Sequence, residues 1–135
     1  MASQSLGLMI SMILAASIVC TVLLGLGVFQ LLLAAGAPLG RFAWGGQYRV
    51  LPTRLRVGSL VSTFFYAVFA AVVLDRAGIL SMFPEQAVRV SVWAIAGLFF
   101  LGAIPNLISR SKSERNVMAP LTLLLSILSV VVALG

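Results

Sequence analysis

The 135-residue chain is 61% hydrophobic and only 9% charged, with a mean hydropathy of +1.17. An ordinary soluble domain carries roughly 25% charged residues, so a water-soluble fold of this size is excluded. The net charge of +6 and pI near 11.2 match a nucleic-acid binder in bulk, but the basic residues flank long apolar runs, as membrane-topology signals do, so no nucleic-acid partner is expected. With no histidine and one cysteine, the chain offers no bis-histidine haem site, no His-bearing zinc site and no thiol pair, and no cofactor or metal is expected.

About 20 apolar residues cross a hydrocarbon core of about 30 Å, and four such runs follow one another. The first, residues 6–35, is uncharged; its polar side chains are Ser11, Ser17, Thr21 and Gln30. It is too long for the apolar region of a signal peptide, and its leader MASQS lacks the basic residue of one, so a retained helix is predicted. Its excess length, roughly 15 Å over the bilayer core, predicts tilt or projection past the interface. Ala16, Cys20, Leu23, Gly27 and Gln30 form a heptad-like seam of the kind that packs helices in lipid.

The first connection, residues 36–56, holds Arg41, Arg49, Arg54 and Arg56 with no acid, interleaved with Phe42, Trp44 and Tyr48. Trp and Tyr favour the membrane interface and Arg meets phosphates there, so an ordered interfacial segment is expected. Arg41, Trp44, Tyr48, Arg49, Arg54 and Arg56 are the candidate contacts for a partner protein or anionic lipid headgroups. Pro52 marks the start of the second helix, with Arg54 and Arg56 at headgroup level ahead of its apolar span, residues 57–74. The second connection carries Asp75, Arg76, Glu85 and Arg89, which cancel, with Pro84 and Glu85 suited to the start of a helix. The third span covers residues 88–108, with a stripe at Ala96, Phe99, Ala103, Asn106 and Arg110, and with Pro105 freeing the Leu101 carbonyl. The third connection holds Arg110, Lys112, Glu114 and Arg115. Ser111 and Glu114 have capping-box spacing, with Asn116 a competing N-cap. The fourth span, residues 117–134, shows a small and polar stripe at Thr122, Ser126, Ser129 and Ala133.

These elements predict an all-α polytopic membrane protein, residues 1–135 forming one four-helix bundle. The connections carry +4, 0 and +2 in chain order, so loops one and three are expected on the cytoplasmic side and both termini outside. Helices one and three then run the same way, each with an amide near its inner end, and Gln30 and Asn106 are expected to form an interhelical polar clamp. No ionisable group lies mid-span, which disfavours proton-coupled transport. No nucleophile and base stand out, so enzyme chemistry is not expected.

The strings GAPLGRFAWGGQYRVLPTRLRVGS (36–59) and NLISRSKSERNVMAP (106–120) resemble a family of small bacterial, chiefly actinobacterial, four-helix integral membrane proteins, the likeness extending over most of the chain. Trp often stands in that family where this chain has Leu39. The resemblance implies four spans and a bacterial inner membrane, and it transfers neither an activity nor functional residues. The function expected is that of a non-enzymatic membrane component, a homo-oligomer or an accessory subunit of a larger complex. The alternative is a small channel or carrier for a neutral or anionic solute, lined by Thr122, Ser126, Ser129, Gln30 and Asn106.

Overall fold

The computed structural model describes residues 2–135 and is all-helical, with no strand among the described residues. Helix α1 spans Ala2–Ala34, α2 Thr53–Arg76, α3 Glu85–Leu107 and α4 Ala119–Leu134, the last entered through a π-helical turn at Glu114–Met118. All four are long and apolar enough to cross a membrane, α4 counted together with its π turn. At about 1.5 Å per residue, the 33 residues of α1 reach about 50 Å, so this helix outruns the other three.

The helices extend beyond the apolar runs into the charged segments. Helix α2 starts at Thr53, beside Pro52 as expected, with Arg54 and Arg56 near its start, and it runs on past residue 74 to take in Asp75 and Arg76, because a helix continues past the hydrocarbon boundary until a residue breaks it. Pro52 and Pro84 lie just outside their helices, in extended geometry at φ −66° and −58°, and serve as N-cap residues instead of first-turn ones. Pro105 stays inside α3, which continues to Leu107. Pro120 is absorbed differently. It cannot donate to Asn116, and just ahead of it the helix widens, so that the Ala119 N–H reaches back five residues to the Glu114 carbonyl.

The bundle places α1 beside α2 and α4, and α3 beside α4 and α2, leaving α1 and α3 diagonal. Its core is made of small and β-branched side chains: Ala16, Val19 and Leu23 of α1 meet Val73 of α2, Val92 and Ile95 of α3, and Leu125 and Val132 of α4. Large apolar residues point outward, with Leu24 71%, Phe64 65% and Ile127 61% exposed. That pattern is costly in water and neutral in hydrocarbon, where close approach of small residues and interhelical hydrogen bonds hold helices together. Both devices are present. Ala96, Phe99 and Ala103 of α3, and Ser126, Ser129 and Ala133 of α4, are buried, and the Ser126 hydroxyl donates to the Ala96 carbonyl at 2.8 Å.

The seam of α1 holds at Ala16 and Leu23 but opens at Gly27, where a Cβ would meet nothing within 4 Å. Gly27 faces an apolar groove of about 380 Å³ between α1 and α2, and is not a close-packing point. Ala103, 1% exposed, is. Ala103→Leu is therefore expected to lower stability in detergent by about 1–3 kcal/mol through overpacking. Ile104→Leu, one residue along on the exposed face, should leave the melting temperature unchanged.

At the neutral end of the bundle, the Asp75 carboxylate accepts the Met82 and Phe83 amides at 2.7 and 2.9 Å, closing the α2–α3 link. The Glu85–Arg89 pair at 2.8 Å is exposed and contributes little. Arg76 turns inward to donate to the Ala133 carbonyl at 3.4 Å, tying α2 to the end of α4.

Candidate functional site

The basic end of the bundle is where local sequence chemistry produces unusual geometry. Helix α1 stops in a Schellman motif: Gly36, at φ 98°, donates to Leu33, and Ala37 reaches back to Leu32 at 2.9 Å. The chain then folds back on itself, the Gly40 amide donating to the Arg49 carbonyl at 3.0 Å. Gly40 packs so tightly here that a Cβ would overlap the Tyr48 carbonyl oxygen. Leu33, Ala43 and Leu51 form a second small core with Phe29, Leu39, Tyr48 and Leu55 packed around it. Phe29 and Phe42 meet edge to face at 6.3 Å. Loop one is a folded cap on the bundle end.

Its tip is held in strain. Trp44 has φ 53°, and Gly45 and Gly46 follow at 72° and 74°. Glycine adopts this left-handed region freely; a bulky residue such as Trp44 does not. The partner that fixes the tip is Glu114, whose Oε2 accepts the Gly45 amide at 2.9 Å and the Ser109 hydroxyl at 2.6 Å. Ser111 adds a second tie, its hydroxyl donating to the Arg41 carbonyl. The Arg115 guanidinium donates to the Ser109 carbonyl at 3.0 Å and steadies loop three.

The capping box is thus half made. Ser111 is the N-cap, its hydroxyl accepting the Glu114 amide at 3.3 Å, which decides between it and Asn116. The reciprocal bond is replaced: the Ser111 amide goes to the Ser109 hydroxyl at 3.1 Å, and the Glu114 carboxylate is released to loop one. Glu114 is only 7% exposed. No basic side chain lies within 4 Å of it among the described residues, although seven of the nine basic residues sit at this end of the bundle.

Above Glu114 lies a polar cavity of about 160 Å³ between the four helices and the cap. Its polar lining is Gln30 of α1, Ser62 and Tyr66 of α2, Asn106 of α3, Thr122 of α4, and Glu114, with Trp44, Phe29 and Phe42 as aromatic walls. Trp44 also packs on α2 at Gly58. Asn106 donates to the Thr122 hydroxyl at 3.0 Å, which in turn donates to the Met118 carbonyl at 2.6 Å. Gln30 and Tyr66 both face this cavity, from α1 and α2. The two amides therefore share one cavity, and Asn106 bonds to the adjacent helix α4 instead of to α1, because α1 and α3 are diagonal. Asn106→Leu and Thr122→Val are each expected to lower stability, with a coupling of about 0.6 kcal/mol in a double-mutant cycle; strict additivity would contradict the bond.

The six candidate contact residues divide. Arg41, Arg49 and Arg54 are exposed; Arg41 stacks over the Phe42 ring at 4.8 Å and Arg54 donates to the Tyr48 hydroxyl at 3.1 Å. Arg56 is turned into the cap, donating to the Leu51 carbonyl at 2.8 Å, with its guanidinium against Gly36. Trp44 joins the cavity wall. Sequence reasoning passed over Ser109 and the inward carboxylate of Glu114; the available signal was a single acid among seven cations. No protein-family model, curated protein or solved structure matches the chain.

Proposed function

We propose that the protein is a non-enzymatic component of a bacterial inner membrane, working as a homo-oligomer or as an accessory subunit of a larger membrane complex, with its basic end as the docking face. Loops one and three face the cytoplasm in this reading, and both termini lie outside; the +4, 0, +2 loop charges support that orientation. The observation that carries the proposal is the folded cap. A surface already ordered before contact loses less entropy on binding than a flexible loop would. Because the one acid at this end is buried, Arg41, Arg49, Arg54, Arg110 and Lys112 present an exposed face of one sign, suited to anionic headgroups or an acidic partner segment.

Purification from native membranes in mild detergent tests this. Recovery of a stoichiometric oligomer or larger partner, lost when Arg41, Arg49 and Arg54 are replaced together by Gln, is the expected result; a monomer under all conditions would contradict it. Orientation is checked in a Cys20→Ser background by impermeant thiol labelling of intact cells, where Gln86→Cys should react and Ser113→Cys should not.

The polar cavity favours a second reading, a small channel or carrier for a solute. Saturable solute flux through the purified protein in liposomes would support that reading over the first.

A further inference from the structure

We propose that the cavity at the basic end is a binding site for a small organic cation bearing N–H donors, with Glu114 as its counter-charge. The inference goes beyond both functional readings above and depends on neither. It starts from an electrostatic imbalance. A carboxylate taken out of water is strongly destabilised unless it is paired or fully hydrogen-bonded. Glu114 is 7% exposed and has no cationic side chain within 4 Å among the described residues. Both of its hydrogen bonds, from the Gly45 amide and the Ser109 hydroxyl, land on Oε2. Oε1 accepts no hydrogen bond from the described residues and is not closed off from solvent, and Glu114 forms part of the cavity wall. The lock on loop one uses one oxygen and leaves the other for a ligand.

The surrounding groups select the ligand class. Asn106 spends its N–H₂ on Thr122, so its carbonyl oxygen remains an acceptor. Trp44, Tyr66, Phe29 and Phe42 supply aromatic walls, and a cation over such faces gains further attraction once desolvated. About 160 Å³ exceeds a bare ion or a single water, whose share of liquid volume is about 30 Å³, and suits a molecule of a few heavy atoms. A divalent metal fits poorly: Ca²⁺ takes about 6–8 oxygen ligands, several from carboxylates, and no cluster of three His, Cys, Asp or Glu exists among the described residues. The seven basic residues at this end oppose cation entry at long range. Five of them are exposed, where salt screens their field beyond about 8 Å, whereas the carboxylate acts on a bound cation at contact distance.

Trp44 provides the readout. In a Trp93→Phe background it is the sole tryptophan of the full chain, and its emission in detergent is followed during titration with n-propylammonium chloride, with n-propanol and potassium chloride as neutral and inorganic controls. A saturable change with propylammonium, at least tenfold weaker with either control, is expected. Glu114→Gln should weaken it at least tenfold, since a single amide oxygen can still accept both lock bonds while the charge is gone. Ser62→Leu fills the cavity from α2 without touching either lock bond and should abolish the change, and it carries the test alone if Glu114→Gln does not fold. No saturable change in the parent protein, an equal response to propanol or potassium, or undiminished affinity in either folded variant would overturn the proposal. None of these outcomes bears on whether the basic face recruits a partner, which copurification reads separately.

Discussion

Replacing Gly40 with alanine is expected to unfold loop one while the four helices persist. The added methyl would overlap the backbone carbonyl of Tyr48, and a backbone atom held by the returning chain cannot rotate aside as a side chain can. Relief requires breaking the Gly40–Arg49 hydrogen bond and separating Leu33, Ala43 and Leu51, the cap's own core. A loss on the order of 3 kcal/mol is expected, in the range reached when close packing and a backbone bond fail together. Limited trypsin digestion in detergent gives the local readout: Arg41 and Arg49 should become cleavable while helical circular dichroism stays near that of the parent. Resistance to trypsin equal to the parent's would mean that the cap tolerates the methyl and is not packed as described.

The second large effect is expected from Glu114→Ala. The substitution strands the Gly45 amide and the Ser109 hydroxyl, both donating to Oε2. Hydrogen bonds to a charged group contribute roughly 1.5–3 kcal/mol each, and leaving their partners unmade adds a desolvation cost. About 2–4 kcal/mol should be lost, offset in part because an unpaired buried charge is removed with the side chain. The same loss deprives Trp44, Gly45 and Gly46 of the contact that holds three successive left-handed residues, so the tip should relax first. Glu114→Gln keeps one acceptor oxygen and should cost less. A melting temperature in detergent ordered parent, Gln, Ala is the expected series; an alanine variant as stable as the parent would remove Glu114 from its role as a lock.

The fold was legible because bilayer physics leaves few choices. Runs of about 20 apolar residues must be helices, and small residues at helical spacing marked the buried faces at Ala96, Ala103, Ser126 and Ser129. Periodicity failed at Gly27, where a small residue faces a groove, since spacing places a residue on a helix face but not at the height where two helices converge. Gln30 and Asn106 line one cavity; the bond of Asn106 to Thr122 was hidden because helix adjacency around the bundle is not written in hydropathy. Loop one was expected to be ordered, on its aromatic and basic content. Its lock was not visible, because Ser111 and Glu114 satisfy a local capping pattern, and only the long-range fold shows that the carboxylate leaves that pattern to bind Gly45, 69 residues away.

Loop one and loop three form one preformed unit at the basic end. Hydrogen exchange resolved to single amides measures this directly, in the parent protein and in Glu114→Ala. The amides of Gly40, Ala43, Gly45 and Gly46 are all hydrogen-bonded and are expected to exchange far more slowly than unstructured peptide, with Gly45 losing the most protection when Glu114 is removed. Exchange of these four amides at the unprotected rate in the parent protein would contradict the account.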